Sequence, residues 1–119
     1  YHATWKKRID AKFRASMSVP GHHISWILGV DTLAEALEKL EPFKLDGVVQ
    51  QMRCPFLLTH GADDEQIPME DAQALYDACG SADKTLRVFT TEEGGAQHCQ
   101  RDYPSIGIST MFDWLTEKL

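Results

Sequence analysis

Cysteine is scarce in this sequence, and its three residues, Cys54, Cys79 and Cys99, form no Cys-x-x-Cys pair. An odd number without ligand spacing argues against a disulfide framework and fits a reducing compartment, where the thiols serve as packing groups. Long apolar runs are missing too, and the first residues lack the charged, apolar and small segments of a secretory signal. Positive charge is in deficit: 12 Lys and Arg stand against 18 Asp and Glu, a net charge of −6. That balance argues against nucleic acid and anionic membrane as partners, since both are held through basic patches. The local cluster Lys6-Lys7-Arg8 with Lys12 and Arg14 lies at helical spacing and reads as a solvated helix face. No internal repeat or low-complexity linker interrupts the chain. Together these absences lead to the expectation of a cytoplasmic protein. The chain starts at Tyr1 rather than at a methionine, so upstream sequence is expected.

What is present is the composition of an ordinary globular protein, 43% hydrophobic and 25% charged over 119 residues, enough for one domain or part of one. Trp5, Ile9, Phe13 and Met17 recur every four positions and predict an amphipathic helix, broken by Ser18-Val19-Pro20-Gly21. The short apolar segment from His22 to Gly29 is not classified by its periodicity. Asp31-Thr32 starts a helix that places Leu33, Ala34, Ala36, Leu37 and Leu40 on one side and ends before Pro42. A further short helix is predicted from Leu45 to Gln51, with Leu45, Val48, Val49 and Met52 inward.

Beyond Cys54 the pattern changes. Pro55–Thr59 reads as a buried strand stopped by His60-Gly61, with the carboxylates Asp63 and Asp64 in the turn that follows. A helix from Met69 to Cys79 carries Glu70 and Asp71 in its first turn, where they suit the helix dipole. A second strand is predicted over Thr85–Thr91, then a glycine-rich turn, Gly94-Gly95-Ala96-Gln97-His98. The last helix, 104–119, offers Ile106, Ile108, Met111, Phe112, Leu115 and Leu119 to a core. Strand, helix and strand of these lengths make a parallel βαβ unit, so the fold class is α/β. Two parallel strands do not stand alone, and the remaining strands are expected from sequence N-terminal to Tyr1.

An acid just past the carboxyl end of one strand and a histidine just past the next are placed where open α/β sheets build their sites. They suggest two members of a catalytic triad. From position alone either Asp63 or Asp64 serves as the acid, and the bland reading of His98 is a solvated loop histidine. His60 reads as a structural hydrogen-bonding residue at the strand end. Cys99 is set aside as a nucleophile, because neighbouring side chains in a turn diverge and a Cys–His pair must meet in space. His22, His23, His98 and the cysteines lack metal-ligand spacing, so no metal is expected. His22 and Trp26 form an i, i+4 pair for a pocket wall or for packing.

The pattern His60-Gly61-x-x-Asp64-x-x-Ile67-Pro68, followed by a helix, a strand and Gly94-Gly95-x-x-His98, resembles the C-terminal end of the α/β-hydrolase fold. Within that superfamily the likeness is strongest to the group of 2,6-dihydroxypseudooxynicotine hydrolase and the fungal polyketide-shortening pigment hydrolases. It is carried by Arg53–Gly61, Gln66-Ile67-Pro68 and Phe89–Gly95, and by the segment His22 to Asp31, with Trp26 and Gly29-Val30-Asp31, which resembles part of that group's helical cap. The resemblance implies that the chain is a C-terminal fragment of such a fold: the last two parallel strands with flanking helices, 45–119, preceded by a helical cap remnant, 1–44. It selects Asp64 as the triad acid and His98 as the base. The serine it implies would sit on a Gly-x-Ser-x-Gly elbow, and that motif is absent here. The implied function is serine hydrolysis of an ester or of a C–C bond beside a ketone, with no cofactor. The implied partners are a small-molecule carbonyl substrate and the N-terminal remainder of the hydrolase, with a leaning toward a homodimer. A non-catalytic, truncated hydrolase-like interaction module is the alternative.

Overall fold

A computed structural model describes residues 23–119. The amphipathic helix expected over 1–17 lies outside them, as does His22. The chain divides into two compact units, Tyr1–Leu45 and Asp46–Leu119.

In the first unit the segment that periodicity left unclassified is a short helix, α1 (His23–Leu28), followed by α2 (Leu33–Leu40). Helix α2 begins where the sequence signal places it. Thr32 Oγ1 accepts the Glu35 amide at 3.2 Å, and Glu35 Oε2 accepts the Thr32 amide at 3.0 Å, a reciprocal capping box. Ala36 is fully buried, whereas Trp26 is 76% exposed and stacks on His23 rather than packing inward.

The second unit holds the sheet. A single 3₁₀ turn, Val49–Gln51, replaces the helix expected from Leu45 to Gln51. Gly47 explains the difference: its φ of +79° is left-handed and interrupts any helix through it. Val49 is buried as expected, but Leu45 and Val48 are exposed. Strand β1 (Phe56–Gly61), helix α3 (Met69–Ala78) and strand β2 (Lys84–Phe89) follow, and the strands pair in parallel from Phe56↔Lys84 to Gly61↔Phe89. Strand β1 is longer than the sequence suggests, because His60 pairs with Val88 and Gly61 with Phe89 instead of ending the ladder. Ala72 on helix α3 and Cys79 just past its C-terminus are buried. The helix's C-terminal carbonyls are capped by Lys84, whose Nζ donates to Tyr76 at 2.7 Å and to Cys79 at 2.9 Å.

Helix α4 (Pro104–Lys118) opens with proline in its first turn, where a missing amide hydrogen costs nothing. Its apolar side departs from expectation. Ile106 is half-buried, but Ile108, Met111, Phe112, Leu115 and Leu119 are exposed. Among the described residues the sheet has only two strands, too small a platform to cover that side. The structure is thus α/β, a parallel pair of strands with helices, and this is compatible with a piece of a larger hydrolase fold.

Candidate active site

Both strands deliver their candidate residues at their carboxyl ends. The loop after β1 is shaped by Asp64. Its Oδ1 accepts the amides of Gln66 at 2.7 Å and Ile67 at 2.9 Å, a turn closed by an aspartate side chain. Its other oxygen, Oδ2, lies 2.9 Å from His98 Nδ1, and the Asp64 side chain is only 5% exposed. One carboxylate oxygen therefore fixes the loop while the other holds the imidazole.

This division sets the electronic state of the pair. Burial pushes the Asp64 carboxyl up, but the Ile67 amide, the His98 imidazole and the Gln66 amide together hold it below its ordinary value. An ionised carboxylate only accepts, so Nδ1 is the donor. In the neutral ring that leaves the Nε2 lone pair free to act as a base. The His98 side chain is 31% exposed, which leaves the ring reachable.

The lowered Asp64 carboxyl has a stability consequence. The folded state binds fewer protons than the unfolded chain over the interval between the two titrations. The stabilisation is complete above the ordinary aspartate range, about 3.9, and is lost as pH falls through the lowered value. Thermal unfolding followed from pH 7 downward is expected to show Asp64→Asn melting below the wild type at neutral pH. The gap should close as the wild-type carboxyl protonates. A gap that widens in acid would contradict the assignment.

The loop that carries His98 is built against the end of β1. Gly61 has no room for a side chain, because the carbonyls of Ala96 and Gln97 pack where a Cβ would stand. The Asp63 amide donates to the Ala96 carbonyl at 2.9 Å, and Thr91 Oγ1 donates to Asp63 Oδ2 at 2.6 Å. Glu93 accepts from the Thr90 amide and pairs with Arg87. Asp102 accepts the amides of Gly95 at 2.9 Å, Ala96 at 3.1 Å and Gln97 at 3.0 Å. Desolvation raises the Asp102 carboxyl, and the backbone donors, Gln97 first among them, hold it below its ordinary value.

The structure brings Asp64 and His98 together and keeps Asp63 apart, as an exposed turn residue bonded to Thr91. Cys99 is exposed and follows His98 with a left-handed φ of 54°. His60 lies inside β1, buried, and its Nε2 finds no hydrogen-bond partner among the described residues. Among those residues no three His, Cys, Asp or Glu side chains gather as a metal site requires, and no helix is long and apolar enough to cross a membrane. Sequence reasoning missed Asp102 and the Asp63–Thr91 link. Neither has a local signal, since each joins loop positions brought together only by the turns.

No protein-family model matches the chain. Three curated proteins do. Over 100 residues the chain is 32% identical to Hydrolase LUC6 of Fusarium sp, a match covering 80% of this chain and 24% of that protein. Over 98 residues it is 30% identical to 20-hydroxy-prefusarin hydrolase FUS2 of Gibberella moniliformis, covering 78% and 23%. Over 100 residues it is 25% identical to Hydrolase acrC of Aspergillus aculeatus, covering 81% and 23%. The chain spans about a quarter of the length of these relatives. It is a distant relative of a group of fungal hydrolases.

Proposed function

We propose that the chain is the C-terminal part of a serine hydrolase of the α/β-hydrolase fold, in which Asp64 and His98 are the acid and base of a Ser-His-Asp triad. The observation that carries this reading is the buried Asp64 carboxylate, tied at Oδ1 by two amides and aimed through Oδ2 at His98 Nδ1, 2.9 Å away. In this reading His98 Nε2 takes the proton of a serine hydroxyl as the oxygen attacks a substrate carbonyl. It then returns the proton to the leaving group. Asp64 holds the imidazole orientation and stabilises the imidazolium. The serine comes from sequence outside these 119 residues, which hold no Gly-x-Ser-x-Gly.

Two further observations support the reading. The chain accounts for about a quarter of the hydrolases it matches, which leaves ample length for an elbow and further strands. The exposed apolar side of α4, with Met111, Phe112 and Leu115, and the two-stranded parallel sheet suit a unit completed by the rest of a hydrolase. Residues 1–44 act as a helical cap and 45–119 as part of the core. The substrate is a small carbonyl compound, either an ester or a ketone cleaved at the adjacent C–C bond. The leaving group is an alcohol in one case and a stabilised carbanion in the other, and no cofactor takes part.

Incubating the complete protein with panels of esters and of 1,3-diketones in ¹⁸O-labelled water tests the reaction class. The expected product is a carboxylic acid carrying one ¹⁸O atom, from one panel or from both. If neither panel gives such an acid above the buffer rate, the proposal yields to the non-catalytic interaction module.

A further inference from the structure

We infer that Asp102 is a positioning residue for the Asp64–His98 pair, acting through one peptide unit. The loop between β2 and α4 is held against its own backbone preferences. Gly94 and Gly95 have φ of +85° and +79°, and Cys99 and Gln100, which are not glycine, have φ of 54° and 53°. Left-handed backbone at a residue with a Cβ is unfavourable and persists only when its surroundings enforce it. Here the left-handed pair directly follows His98. It turns the chain back so that the Asp102 carboxylate meets the amides of residues 95–97, leaving His98 at the apex of the turn.

Three consecutive amides converge on that carboxylate. Oδ2 accepts from Gly95 and Ala96, at 2.9 and 3.1 Å, and Oδ1 accepts from Gln97 at 3.0 Å. Gly95 and Ala96 are buried, so without Asp102 their amide hydrogens would lose the acceptor that satisfies them. The peptide unit between Ala96 and Gln97 is held at both ends. Its N–H donates to Asp102, and its carbonyl accepts the Asp63 amide at 2.9 Å. Asp63 is joined directly to Asp64. Asp102 thus grips one peptide that bears on both partners: His98 one residue further along the chain, and Asp64 through the Asp63 amide. Hydrogen bonds in series polarise one another, which stiffens such a link. Among the described hydrogen bonds Asp102 meets neither Asp64 nor His98, so its effect is on their geometry.

The catalytic consequence rests on Asp64 and His98 being acid and base; the geometric one does not. Two readouts on the complete protein separate them. The ¹⁵N shifts of the His98 ring in histidine-labelled protein report its tautomer, and steady-state kinetics report turnover. In the wild type the ring should be a single tautomer with the proton on Nδ1. Asp102→Asn keeps the shape but turns one acceptor oxygen into an NH₂ facing an amide donor. It is expected to give mixed His98 tautomers and a kcat lower by on the order of 10²-fold, with KM little changed. Asp102→Glu keeps the charge, should restore part of both, and carries the test if the Asn variant does not fold. A single Nδ1–H tautomer and wild-type kcat in both variants would overturn the inference, as would a wild-type ring that is already mixed. If the tautomer scrambles in Asp102→Asn but His98→Ala still turns over substrate, positioning stands and the catalytic reading fails.

Discussion

Replacing His98 by alanine is expected to cut kcat of the complete protein by about 10⁶-fold, with the fold intact. The size follows from what the imidazole does in the proposed triad. Without it no group takes the serine proton, and an un-ionised hydroxyl is a poor nucleophile at neutral pH. The fold should tolerate the change. The His98 side chain is 31% exposed, and the turn around it is held by Asp102, Asp63 and Gly61 rather than by the ring. Circular dichroism and thermal unfolding alongside the kinetics would separate loss of chemistry from loss of structure. Turnover near the wild-type rate in a folded His98→Ala protein would remove the basis of the assignment.

The second large effect is expected at Asp64. Asp64→Asn should lower kcat by about 10⁴-fold, and the hydrogen bonds of this loop explain why the loss goes beyond one charge. Oδ1 must go on accepting from the Gln66 and Ile67 amides, so the carbonyl oxygen of the new amide is committed to that side. Its NH₂ group is then turned toward His98 Nδ1. Nδ1 has to accept, the ring proton moves to Nε2, and the base is lost. Asp63→Asn should cost little by comparison, because Asp63 is exposed and its carboxylate meets only Thr91 Oγ1 among the bonds described. Kinetics of the two variants side by side would settle the register. A larger loss at Asp63 than at Asp64 would contradict it.

Much of this is legible in the amino-acid sequence. The Asp31-Thr32 helix start is legible because its cause is local: the capping box that Thr32 forms with Glu35 needs no tertiary context. Strand, helix and strand are marked by apolar runs and by acids at the start of α3, and their parallel pairing follows from the length of the crossover. Position alone leaves Asp63 and Asp64 open as the acid, and only the resemblance through His60-Gly61-x-x-Asp64 selects Asp64. Other features could not be read, for physical reasons. Whether Gly61 ends a strand or continues it depends on Phe89, which pairs with it across the sheet. Gly47 looks innocent in a helical pattern until its φ is known. The apolar side of α4 predicts burial, but burial needs a partner surface that two strands do not offer. Asp102 was the least legible. Its three amide partners lie across an irregular turn with two left-handed residues, and no periodicity encodes such a turn.

In the proposed triad His98, held by Asp64, activates a serine outside these residues. The most direct measurement is labelling of the complete protein with a fluorophosphonate probe, followed by peptide mapping, in the wild type and in His98→Ala. One labelled serine is expected in the wild type, outside these 119 residues, with loss of that label in the variant. A label that persists at the wild-type rate in folded His98→Ala protein, or no labelled serine in either, would contradict it.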